Sequence, residues 1–83
     1  MSNQDGWDVM RSLNHTIDDC IKSNSFEPID KRFASLKEKS VQKTFGVSKY
    51  ELVNWLQYSI DRGRSDAIIY CKRILKYVES MKR

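Results

Sequence analysis

The sequence has little of what a β-sheet protein, a membrane protein or a secreted protein needs. Three glycines and one proline give few turn signals, which disfavours a fold of many short strands. No run approaches the roughly 20 apolar residues of a membrane span, and residues 1–6 lack the apolar core of a secretion signal. We therefore expect a helical protein without a membrane span that stays in the cytoplasm or nucleus.

Groups suited to catalysis or metal binding are equally scarce. His15 is the single histidine, and no cysteine or histidine spacing matches a metal site. The chain has no glycine-rich phosphate loop, and the adjacent Asp18 and Asp19 are expected on a charged helix face. Cys20 and Cys71 are expected to be buried thiols, while the sequence alone also permits a disulfide between them. We predict no catalytic residues, no metal and no cofactor.

The 83 residues suffice for one domain, and their apolar spacing predicts helices. A first helix is predicted at residues 7–22, and Pro28 suits the first turn of a second. A break near Lys39 and Ser40 precedes a short third helix that ends at Phe45. The first half of the chain therefore predicts three helices of decreasing length.

Polar residues mark where the last two helices begin. Ser48 and Glu51 match a capping box, and the helix that they start is predicted to end near Ile60. Ser65 is predicted to cap the final helix. We predict an all-α fold, a compact bundle of four to five helices in a single domain, residues 1–83.

Residues 38–58 have the pattern of a helix-turn-helix unit, with Gly46 at the turn. Apolar residues stand where the two helices would touch each other and the core: Val41, Phe45, Val47, Leu52 and Trp55. The segment resembles the helix-turn-helix family of DNA-binding domains. The resemblance implies that a recognition helix at about residues 49–60 enters the major groove.

The same resemblance implies a set of nucleic-acid contacts. The residues that would face the groove are Ser48, Lys49, Tyr50, Asn54, Gln57 and Tyr58. Asparagine and glutamine can read adenine edges, and Lys49 would contact phosphate. Further cations expected to contact phosphates are Lys43, Arg62, Arg64, Lys72, Arg73 and Lys76. The net charge of +4 favours anionic partners in general, so a small DNA-binding regulator is the leading interpretation.

A second, longer resemblance leads to a different partner. The segment Glu51-Leu-Val-Asn-Trp-Leu56 is similar to the core of DEP domains. The segments Ile29-Asp-Lys-Arg32, Arg64-Ser-Asp-Ala-Ile68 and Lys72-Arg-Ile-Leu75 resemble the flanking parts of that family. DEP domains are winged-helix modules that dock signalling proteins onto membranes or receptors. This resemblance implies a non-catalytic module that binds a partner protein.

One face of the last predicted helix is a candidate contact surface. Ile69, Tyr70 and Tyr77 lie off its buried side and form a possible exposed apolar strip. The alternative is that Tyr70 and Tyr77 only shield the helix surface. An exposed strip would support a partner contact or a homodimer, and two-fold dimers suit the reading of paired DNA half-sites.

Overall fold

The computed structural model describes the backbone of residues 5–83 and the side chains from Asp8 onward, so residues 1–4, which begin the segment examined for a secretion signal, and the side chain of Trp7 lie outside it. Five α-helices form in this range: α1 Asp5–Ser23, α2 Glu27–Ala34, α3 Val41–Phe45, α4 Lys49–Arg62 and α5 Ile68–Ser80. No β-strand occurs within it, only an isolated bridge between Ser40 and Lys82. The predicted all-α bundle is confirmed.

One hydrophobic core joins all five helices. The buried stripe of α1 has the predicted helical spacing, with Val9, Leu13, Ile17 and Cys20 facing inward. The other buried side chains come from every later element: Ile29, Phe33, Val41, Val47, Leu52, Leu56, Ala67, Tyr70, Cys71, Ile74, Val78 and Met81. Trp55, expected in the core, is only half-buried and packs at its edge.

The two cysteines are free thiols inside this core. Burial raises the pKa of both the Cys20 and the Cys71 thiol, because a thiolate would lose its hydration there. Both side chains therefore stay in the uncharged thiol form and pack as small apolar groups.

Two boundaries differ most clearly from the sequence predictions, while the ends of α1 and α4 lie within two residues of them. The second helix ends at Ala34 rather than near Lys39, because residues 35–38 form turns in which the Leu36 N–H bonds to the Phe33 carbonyl. The final helix begins through a 3₁₀ turn, Ser65–Ala67, capped by Arg64 without a side-chain hydrogen bond. The prediction that Ser65 caps this helix was therefore wrong.

The end of the described chain pairs with the start of α3. The Val41 and Gln42 N–H groups donate to the carbonyls of Lys82 and Arg83, at 2.7 and 3.0 Å. In return the Lys82 N–H donates to the Lys39 carbonyl at 3.0 Å. These bonds occupy N–H groups that a helix leaves free at its start, and they place Lys82 and Arg83 beside the predicted helix-turn-helix segment.

None of the helices in the described part of the chain has the length and apolar character needed to cross a membrane.

Candidate functional site

The segment from Ser40 to Ser48 fixes where α4 begins. The Ser40 hydroxyl accepts from the Lys43 N–H at 3.2 Å and so caps α3. Gly46 ends α3 in the left-handed region, with φ of 78°, which a residue without Cβ adopts at least cost. Ser48 then caps α4, accepting from the Glu51 N–H at 3.1 Å. The Glu51 carboxylate accepts from the Ser48 hydroxyl at 3.3 Å instead of reaching the backbone, so half of the predicted capping box is present.

The outer side of α4 exposes four of the residues predicted to face a ligand. Tyr50 and Tyr58 are 76% and 63% exposed, and Asn54 and Gln57 are also exposed. We call these four residues the α4 face. Ser48, which was also predicted to face the groove, caps the helix instead. The α4 face therefore presents two phenol rings and two amides to solvent.

The charges along the exposed side of α4 have both signs. The Arg62 guanidinium lies 5.5 Å from the centre of the Tyr58 ring, a distance typical of a cation–π contact. Glu51 and Asp61 are exposed on the same helix. The side chains of α4 alone therefore attract an anion only weakly.

Lys49 does not have the free ammonium expected of a phosphate contact. Its Nζ donates to the carbonyls of Glu79 and Met81, both at 2.7 Å. These carbonyls lie at the C-terminal end of α5, where the helix dipole favours a cation. Lys49 thus ties the start of α4 to the end of α5, and this internal role replaces the predicted phosphate contact.

Arg64 is also engaged within the fold. Its guanidinium forms ion pairs with Asp18 at 2.9 Å and with Asp66 at 3.5 Å. The bond to Asp18 raises the pKa of Arg64 further and links the turn before α5 to α1. Of the predicted cations near the helix-turn-helix segment, Lys43 and Arg62 are exposed and form no ion pair among the described residues.

A surface depression at the start of α4 brings in residues that sequence reasoning missed. It has a volume of about 600 Å³ and lies beside Tyr50 and Val53. Gln42 and Arg83 also line it. The signal for Arg83 is long-range, since its position depends on backbone pairing with α3, and no local pattern predicts that pairing.

The predicted phosphate contacts of α5 lie elsewhere, in a second depression of about 610 Å³. We call it the basic groove. Its lining comes from α5, from the end of the first interhelical turn and from the loop after α2: Phe26, Lys37, Ile69, Lys72, Arg73, Lys76, Tyr77 and Ser80. No α4 residue lines it, so the structure does not unite these cations with the α4 face. Phe26 and Lys37 were absent from the sequence predictions.

A hydrogen-bonded network sets the wall of the basic groove. The Asp30 carboxylate accepts from Arg73 Nε and Nη2 at 3.0 and 2.9 Å, and from the Tyr77 hydroxyl at 2.6 Å. The bonds from Arg73 and Tyr77 hold the pKa of Asp30 below its usual range, and the Asp30 bond raises the pKa of Tyr77. Arg73 is therefore neutralised by Asp30 and acts as a rigid part of the wall.

Aromatic contacts complete that wall and correct one prediction. The Arg73 guanidinium lies 4.3 Å from the centre of the Phe26 ring, and Tyr77 stacks on Phe33 with centres 5.2 Å apart. Tyr70, predicted to lie on an exposed strip, is only 6% exposed and meets Phe26 edge-on. The strip therefore reduces to Ile69, which is 56% exposed, and the half-buried Tyr77.

The described residues contain no cluster of three or more histidine, cysteine or acidic side chains arranged to hold a metal ion. Comparisons of the chain with protein-family models, with curated proteins and with solved structures find no match. The two surfaces defined above, the α4 face and the basic groove, are therefore the basis for any functional proposal.

Proposed function

We propose that this protein is a non-catalytic nucleic-acid-binding module in which α4 contacts the bases. The observation that carries the proposal is the exposure of the α4 face on a helix whose start is fixed by Gly46 and by the Ser48 cap. Amides at Asn54 and Gln57 can form paired hydrogen bonds with adenine. The exposed rings of Tyr50 and Tyr58 can stack on unpaired bases.

The phosphate contacts in this proposal come from few residues. Lys43, Arg62 and Arg83 are exposed and are free of ion pairs among the described residues. Three phosphate contacts correspond to a slope of about −2.7 in a plot of log K against log salt concentration for duplex DNA. We therefore expect weak binding that is lost at moderate salt.

Fluorescence anisotropy with labelled random duplex and single-stranded DNA, measured across a salt series, tests the proposal. We expect detectable binding at low salt and a slope of about −2 to −3 on duplex DNA. The double variant Arg62→Gln/Arg83→Gln should flatten that slope by about 2. The matched control Arg11→Gln/Lys22→Gln removes two exposed cations from α1 and should leave it unchanged. No binding of either DNA at low salt would refute the proposal.

A second candidate function is the binding of a partner protein, which the resemblance to DEP domains implies. The observation that favours it is the basic groove, which is separate from α4 and combines apolar walls with cations. If the protein has this function instead of the first, it does not bind DNA, and the basic groove binds a partner protein.

A further inference from the structure

We propose that the basic groove is a docking site for an acidic, amphipathic segment of a partner protein, one that carries carboxylates beside apolar anchors. This inference deepens the second candidate function and does not depend on DNA binding by α4.

The unbalanced charge of the groove is the first observation. Lys37, Lys72 and Lys76 are exposed at its rim and form no ion pair among the described residues. The carboxylate of Asp30, which holds two residues of the groove wall, is already satisfied by Arg73 and Tyr77. Three positive charges are therefore left for a ligand to neutralise.

The position of two of these lysines is the second observation. Lys72 and Lys76 are four residues apart in α5, so their side chains are neighbours on one side of the helix. Like charges at this spacing destabilise a helix by about 0.2–0.5 kcal/mol. Helix stability alone therefore does not favour the pair, and its position suits recognition of paired carboxylates.

The apolar part of the groove is the third observation. Ile69 lies within the lysine rim and is 56% exposed, while Phe26 and Tyr77 provide ring surfaces. Both rings are fixed, Phe26 by Arg73 and Tyr70, and Tyr77 by Asp30 and Phe33. A wall that is ordered before binding loses little conformational entropy on binding, which favours a ligand with apolar side chains.

These observations also decide between possible occupants. A second copy of the chain would place one lysine rim on another across a two-fold axis, where like charges repel. A lipid surface requires a projecting apolar face, but here Ile69 is the only exposed large apolar residue of the groove. Carboxylates interleaved with apolar side chains complement both the rim and the walls.

The probe for this proposal is a labelled synthetic helix-forming peptide of about 16 residues, with glutamate and leucine placed so that both line one helix face. A matched peptide replaces every glutamate by glutamine. We expect the glutamate peptide to bind the intact protein in an anisotropy titration, and the glutamine peptide to bind at least about tenfold more weakly.

Two pairs of protein variants locate the site. Lys72→Glu/Lys76→Glu should weaken peptide binding by about tenfold or more, whereas Arg11→Glu/Lys22→Glu, with the same change in charge, should not. Ile69→Ser should weaken it about fivefold, and Tyr58→Ser, which removes a comparably exposed apolar residue on α4, should leave it unchanged. All six substitutions in these four variants lie at exposed positions, so folding should be retained, and circular dichroism checks this.

Three results would overturn the proposal. The first is no binding of the glutamate peptide. The second is equal weakening by the groove variant and by its α1 control. The third is binding of phosphatidylserine vesicles that is lost on Lys72→Glu/Lys76→Glu while the peptide does not bind. Failure of the wild-type protein to bind DNA would refute the α4 proposal alone, because the peptide titration contains no nucleic acid.

Discussion

The α4 face and the basic groove are built in opposite ways. Local signals position the α4 face: a glycine turn, a serine cap and the regular spacing of one helix. Long-range contacts assemble the groove, since Asp30 and Arg73 are 43 residues apart in the chain. Their charges differ as well, because exposed acids accompany the α4 face while the groove has three cations without an acidic partner. Local signals thus produce a surface of neutral hydrogen-bonding groups, the α4 face. Tertiary contacts assemble a surface that attracts anionic groups, the basic groove.

The largest expected effect comes from the core that both surfaces share. Leu52 is fully buried in α4, and Leu52→Ala should lower the free energy of unfolding by about 2–5 kcal/mol, since it removes buried contacts and leaves a cavity. Both DNA and peptide binding should weaken in proportion to the unfolded fraction. Urea denaturation measures the loss. Val53→Ala, at a half-buried neighbour, is the control and should cost clearly less; equal losses would contradict the packing described.

A change at Gly46 should affect the α4 face and spare the groove. Gly46→Ala forces a Cβ into the left-handed region, which costs about 1–2 kcal/mol, although the space around it is open. Gly46→Asn should cost less, because asparagine tolerates this conformation better. Thermal unfolding ranks the stability of the wild-type protein, Gly46→Asn and Gly46→Ala. The acidic-peptide titration should show that the folded fraction of each variant binds the peptide with unchanged affinity. A drop in peptide affinity would show that the two surfaces are not independent.

Asp30→Asn should affect the basic groove and spare the α4 face. The substitution removes the ion pair with Arg73, and because both side chains are partly exposed, at 37% and 41%, we expect a loss of no more than about 1 kcal/mol. The freed guanidinium would no longer be held against Phe26, so the groove wall should loosen while α4 is unaffected. Chemical-shift changes confined to α2 and α5 would support this; equal changes across α4 would count against it.

The same residue predicts a pH dependence. Because the pKa of Asp30 is lowered in the folded state, its contribution to stability is complete above the ordinary carboxylate value of about 4 and disappears as the pH falls through the lowered pKa. Denaturation midpoints measured between about pH 2 and 6 should therefore decline less steeply for Asp30→Asn than for the wild-type protein. Parallel curves for the two proteins would show that Asp30 does not contribute to the pH dependence of stability.

The contrast between local and long-range contacts also explains which features of the structure could be predicted from the sequence. Gly46, Ser48 and the apolar spacing of α1 and α4 act within a few residues, so the helices and the exposure of the α4 face could be predicted. Lys49 and Tyr70 could not be placed, because one is held by carbonyls about 30 residues away and the other packs on Phe26. Helical periodicity assigns a residue to a side of its own helix, but it does not say which neighbour covers that side.

The smallest expected effect separates recognition from folding at the groove. Lys72→Gln removes one of two like charges spaced four residues apart, so the helix should gain about 0.2–0.5 kcal/mol in stability, while affinity for the glutamate peptide falls. Lys22→Gln, at an exposed position in the last turn of α1, should have the opposite effect on stability, because a lysine there interacts favourably with the helix dipole. Urea denaturation at low salt measures both. A gain in stability together with weaker peptide binding would mean that Lys72 is placed for a ligand at the expense of the fold. A loss of stability would show instead that the lysine supports α5, and the charge of the groove would then need no partner to explain it.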